Sequence, residues 1–99
     1  MQSLKPTELR AALANLTGWV SDAQAISRTF NCSSFLESMA FAGRIATYAE
    51  SVDHHPDLLI SYKKVTVTWS THDAGGVTEK DVAAAKATDA VFTARSKSS

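Results

Sequence analysis

The chain has 99 residues, 44% of them hydrophobic and 20% charged, which is the size and make-up of one ordinary globular domain spanning 1–99. Ten Lys plus Arg balance ten Asp plus Glu, for zero formal net charge. There is no basic excess to favour nucleic acid or an anionic membrane, and little charge repulsion to oppose self-association.

In chain order, Thr7 is a candidate cap for a first helix, with Leu9, Leu13 and Leu16 on one face and Gly18 past its end. GWVSDAQAISRTFN then reads as a hairpin. Trp19 and Val20 start one strand, Asp22-Ala23-Gln24 turn the chain, and Ile26, Arg28 and Phe30 share one face of the next strand, with Thr29 on the other. Ser34 followed by Glu37 is a capping-box pattern and opens a long helix expected to reach about residue 52. Along it, Phe35, Met39, Ala42, Ala46 and Ala49 make the stripe expected to face a sheet, and Phe41, Ile45, Tyr48 and Val52 make a second apolar stripe. A helix apolar around most of its girth is covered on more than one side, so the second stripe predicts a helix-mediated oligomer.

Pro56 ends or follows that helix. Leu58, Ile60 and Tyr62 alternate with Leu59 and Ser61, and after Lys63-Lys64, Val65, Val67 and Trp69 alternate with Thr66, Thr68 and Ser70, a second hairpin with a very short connection. HDAGG is a turn, in which Gly75-Gly76 supply turn chemistry rather than a phosphate cradle. Thr78 caps an alanine-rich last helix, TEKDVAAAKATDAVFTAR, and the tail ARSKSS is expected to fray. The order helix, two strands, long helix, two strands, helix predicts an α+β fold: a four-stranded antiparallel sheet with three helices on one face. Both Trp19 and Trp69 are expected in the core.

A single cysteine, Cys32, excludes an internal disulfide and fits a reducing compartment. No apolar run nears the about 20 residues of a membrane span. The opening MQSLKPTELR lacks the apolar core of a signal peptide, so a cytoplasmic chain is expected.

All three histidines, His54, His55 and His72, fall within nineteen positions, two where the long helix runs out and one where the last strand does. Such ends meeting over a sheet form the rim of a pocket, and imidazole titrates near neutral pH, so this is a candidate proton-handling site. Glu50 precedes His54 by four residues; if the helix extends that far they share a face, where a carboxylate favours imidazolium. Asp53 and Asp81 are further candidates, although Thr78-x-x-Asp81 is also a capping pattern. Three histidines and an aspartate could hold zinc, but HExxH, HxH and CxxC spacings are missing, and no metal is expected.

The stretch ESVDHHPDLLISYKKVTVTWSTHDAGGVTEKDVAAA resembles the signature region of the pterin-4a-carbinolamine dehydratases. The matching features are Glu50, His54-His55-Pro56, Tyr62, Val65 and Val67, Thr71-His72, Gly75-Gly76, and Thr78 to Asp81. A weaker likeness runs upstream through the first helix, Gly18-Trp19, Phe30 and Phe35. Animal members are similar to HHPEWFNVY where this chain has HHPDLLISY, so Leu58 replaces an aromatic ring that could bear on pterin stacking. The resemblance implies the same fold and a dehydratase. It would remove water from 4a-hydroxytetrahydrobiopterin, or a related 4a-hydroxytetrahydropterin, to give quinonoid dihydropterin, in support of pterin-dependent hydroxylases. It further implies a homodimer or homotetramer with sheets joined across subunits. Losing hydroxyl from C4a and a proton from N5 needs an acid and a base, and no cofactor, metal or redox step. On this view His54 and His72 form the acid/base pair and His55 orients substrate. Glu50, Asp53 and Asp81 support the histidines or the pterin's polar edge. The alternative, since some animal relatives stabilise a transcription factor's dimer, is a non-catalytic interaction module acting through its helix surface.

Overall fold

The elements run α1 (Pro6–Leu13), β1 (Val20–Ser21), β2 (Ile26–Asn31), α2 (Phe35–Val52), β3 (Asp57–Ser61), β4 (Lys64–Trp69), a 3-10 turn (His72–Ala74) and α3 (Glu79–Lys97). This computed structural model describes residues 2–22 and 24–97, with the backbone alone for 95–97. The four strands form one antiparallel sheet in the order β1-β2-β4-β3. The expected α+β arrangement is therefore the observed one.

Alternation along the two central strands builds the core. Ile26, Phe30, Val65, Val67 and Trp69 point to the helix side and are buried. Thr29 and Thr66, partners across β2 and β4, lie on the other face, where their hydroxyls meet at 2.9 Å. Phe30 stacks edge-on against Phe41 and lies at a tilt to Phe92, so β2, α2 and α3 share one aromatic cluster. Arg28, on the same strand face, reaches Asp89 of α3 at 2.8 Å, and the indole N–H of Trp19 donates to both oxygens of that carboxylate.

The ends of the elements follow local chemistry. Ser34 Oγ accepts from Glu37 N–H at 3.0 Å and starts α2, which ends at Val52 with Asp53 in the left-handed region (φ 52°). Thr78 Oγ1 accepts from Lys80 N–H, and Asp81 accepts from Thr78 N–H, the two halves of a capping box at the start of α3. Asp22 Oδ1 accepts from Gln24 and Ala25 N–H, closing the first hairpin; Ala23, expected in that turn, lies outside the described residues.

Several expectations need correction. Lys5, not Thr7, caps α1: Pro6 takes the first helical position, where its missing N–H costs nothing, and the Glu8 carboxylate accepts from Lys5 N–H at 2.8 Å. Helix α1 closes at Leu13, and Gly18 serves the later turn with φ 92°. Tyr62 leaves the strand alternation and takes φ 54° in the β3-β4 connection. Helix α3 carries the expected tail as far as Lys97; Ser98 and Ser99 lie outside the described residues.

The largest correction concerns α2. Its buried face is Ser38, Phe41, Ala42, Ile45 and Ala49. Phe41 and Ile45, assigned to an interface, are core, while Phe35 (51% exposed), Met39 (46%) and Ala46, assigned to the core, face outward beside Leu36 (78%). Both stripes have helical spacing; the bulkier, β-branched and aromatic pair fills the space over Phe30 and the sheet. Ser38 hides this in the sequence, since its buried hydroxyl is satisfied by the carbonyls of Ser34 and Tyr62.

Candidate active site

Three segments far apart in sequence meet at one end of the sheet: the exit of α2, the exit of β4 and the first turn of α3. They enclose a cleft of about 310 Å³ lined by Asp53, His54, His55, Ser70, Thr71, His72, Asp73 and Lys80. All three histidines and Asp53 are thus brought together. Asp81 lies behind His54, and Glu50 stands beside His55.

The left-handed turn at Asp53 decides which histidine meets which carboxylate. It breaks helical register after Val52, so Glu50 does not stack beneath His54 as its spacing suggested. Instead Glu50 Oε2 meets His55 Nε2 at 2.5 Å, an exposed pair with side chains 77% and 53% accessible. His54 turns inward, 12% exposed, and its Nε2 lies 2.6 Å from Asp81 Oδ1. Its ring stacks on Trp69, with centroids 5.4 Å apart and planes 23° from parallel.

Asp81 is fully buried and both of its oxygens are bonded. Oδ2 accepts from Thr78 N–H at 2.9 Å and Thr71 Oγ1–H at 2.8 Å. Since the single Thr71 hydroxyl proton goes to Asp81, the 3.0 Å contact between Thr71 and Thr78 is donated by Thr78, whose Oγ1 accepts from Lys80 N–H. Every donor in this chain points toward the carboxylate. The remaining oxygen, Oδ1, accepts from His54 Nε2–H, which leaves His54 Nδ1 for other chemistry. Asp81 therefore caps α3 with one oxygen and meets His54 with the other.

His72 opens the 3-10 turn and is exposed. It lines both this cleft and a smaller depression of about 220 Å³ on the far side of Ser70 and Thr71, which Asp22, Gln24 and Asp57 also line. Sequence reasoning overlooked Thr71 as a ligand of Asp81, Trp69 as a surface for His54, and Ser70, Asp73 and Lys80 as cleft walls. Thr71 had a readable signal, a hydroxyl residue next to His72 just beyond a strand. Among the described residues, no group of three or more His, Cys, Asp or Glu side chains is arranged to hold a metal ion. No helix there is long and apolar enough to cross a membrane.

The pattern that defines the family described as pterin 4 alpha carbinolamine dehydratase matches residues 2–91. A protein of Thermosynechococcus vestitus is 46% identical over 86% of this chain and 90% of its own length. One of Mycobacteroides abscessus is 43% identical over 90% and 95%. Both carry the provisional name pterin-4-alpha-carbinolamine dehydratase. Among solved structures, that of a transcriptional coactivator/pterin dehydratase from Brucella melitensis superposes with a TM-score of 0.86 at 38% identity, covering 91% of this chain and 98% of the other. With the match running from the first helix through most of the last, the chain belongs to the pterin-4a-carbinolamine dehydratase family.

Proposed function

We propose that the chain eliminates water from a 4a-hydroxytetrahydropterin, such as 4a-hydroxytetrahydrobiopterin, to give quinonoid dihydropterin for reuse by pterin-dependent hydroxylases. The observation that carries this reading is the convergence of three histidines on one cleft, with the Nε2 of His54 already committed to a buried carboxylate.

In the reaction the C4a–O bond breaks and a proton from an imidazolium makes the departing hydroxyl water. A neutral imidazole takes the N5 proton, and that N–H electron pair becomes the new N5–C4a double bond. No electrons leave the substrate, so the elimination asks nothing of a redox group. His54, through Nδ1, and His72 are the acid/base pair. Asp81 holds His54, while His55, steadied by Glu50, orients the substrate, and Asp53 meets the polar edge of the pterin from the cleft wall. Leu58, on β3, is 36% exposed and lies outside the cleft lining, so the histidine chemistry does not depend on a ring there.

We also propose a homodimer or homotetramer. The outward side of α2 exposes Phe35, Leu36 and Met39, and the edge strand β3 with its turn exposes Leu59 and Tyr62. The same apolar face would serve the other reading, an interaction module that stabilises a partner's dimer. That role makes no use of the histidines.

Stopped-flow absorbance of 4a-hydroxytetrahydropterin decay separates the two. The chain should accelerate decay, and His54→Ala and His72→Ala should each lower the rate about 10²–10⁴-fold, as expected for loss of a general acid or base. Decay at the uncatalysed rate with wild-type chain would leave the interaction module. Full activity in both variants would remove the acid/base assignment.

A further inference from the structure

Trp69 ends β4 and is wholly buried, to all appearance one more core residue. Its indole nevertheless forms the floor beneath His54. That floor is itself fixed. Trp69 Nε1–H donates to Thr88 Oγ1 at 3.1 Å, and the Thr88 hydroxyl donates to the Ala84 carbonyl at 2.7 Å, one turn back along α3. Tyr48 of α2 abuts the indole edge-on, with centroids 6.0 Å apart and planes at 86°.

The bond from His54 Nε2 to Asp81 fixes one atom of the imidazole. The ring could still tilt about that N···O axis and change the direction in which Nδ1 points. A flat surface stacked on the ring face removes this freedom. One restraint on the edge and one on the face together define the plane of the imidazole, and with it the direction of the Nδ1 lone pair or N–H.

We propose that Trp69, held by Thr88, is a positioning residue that sets the plane of His54 and so aims Nδ1 at the reacting pterin. The catalytic half of this inference rests on the dehydratase reading; the structural half stands without it. Proton transfer requires heavy atoms at hydrogen-bond distance and in line, and a misplacement of about 1 Å can cost on the order of a hundredfold in rate.

Three variants test it. Trp69→Phe keeps a flat face but lacks the N–H, Trp69→Leu has no flat face, and Thr88→Val keeps the indole but removes its acceptor. In the folded variants kcat should fall, most in Trp69→Leu, by roughly tenfold to a hundredfold, with KM within about twofold of wild type. A purely structural role for Trp69 would lower thermal stability without that split. The second readout is nitrogen-15 NMR of the histidine rings. Wild-type His54 should show the Nε2–H form. In Trp69→Leu and Thr88→Val its ring signals should shift and broaden as the plane is freed, with the Nε2–H form kept by Asp81, while those of His55 and His72 stay in place. Should Trp69→Leu fail to fold, Trp69→Phe and Thr88→Val decide the matter. Wild-type kcat together with unmoved His54 signals in the folded variants overturns the proposal. A wild-type chain without dehydratase activity would defeat the dehydratase reading, and the shift and broadening of the His54 ring signals would still decide whether Trp69 positions His54.

Discussion

Asp81 and Glu50 are both carboxylates bonded to a histidine, and their surroundings give them unequal weight. Asp81 has no solvent to replace a lost partner, whereas Glu50 is 77% exposed. In Asp81→Asn the amide oxygen is expected to keep the Thr71 and Thr78 donors, so the amide N–H₂ faces His54 and forces a lone pair onto Nε2. The proton then moves to Nδ1, the wrong tautomer for a base. We expect a rate loss of about 10²–10⁴-fold and a stability loss of about 1–3 kcal/mol. Glu50→Gln should change stability by less than about 0.5 kcal/mol, because both partners are largely in water. Chemical denaturation and single-turnover rates on the two variants check this, and equal effects would mean that burial does not rank the pairs. The three histidines of the candidate site were legible in the sequence because His54, His55 and His72 come from element ends that the alternation and capping patterns located. The pairing was not. It depends on one residue, Asp53, leaving the helix left-handed, and a non-glycine at positive φ announces itself only weakly.

At the level of elements, the caps of α2 and α3 and the alternation of β2 and β4 were legible because each rests on nearest neighbours in sequence: Ser34 with Glu37, Thr78 with Asp81, Val65 with Val67. The facing of α2 was not, since periodicity finds a stripe and does not say which stripe meets the sheet. The correction reverses an expectation. With Phe41 and Ile45 regarded as interface, Ile45→Asp would split an oligomer; with Ile45 1% exposed under the aromatic cluster, it puts an unpaired carboxylate in the core. The expected cost exceeds about 4 kcal/mol, so the variant should lose its cooperative thermal transition in circular dichroism or melt far below wild type. A folded variant with unchanged Tm would return Ile45 to the surface.

For the whole molecule, the outward side of α2 is the place to test assembly. Replacing Leu36 with Glu and Met39 with Lys together changes only exposed positions. It should leave the Tm within a few degrees of wild type while light scattering reports a smaller particle. Because His54, His55 and His72 of the cleft all come from a single chain, the smaller particle should keep dehydratase activity. Wild-type chain sedimenting as a monomer at every concentration would remove the oligomer proposal. Exhaustive treatment with a chelator should leave the rate unchanged, as expected of an elimination that needs only proton transfers. Loss of activity that zinc restores would place a metal in the mechanism.

The double use of Asp81 also bears on how related sequences are interpreted. One oxygen completes the start of α3 and the other holds His54, so selection for folding alone is enough to keep this aspartate. A descendant that had abandoned chemistry and survived as a binding protein could lose Glu50 and His55 from the surface at little cost and still carry Thr78-x-x-Asp81 intact. The aspartate is thus a poor witness to activity. The exposed histidines, which the fold does not need, are the better ones.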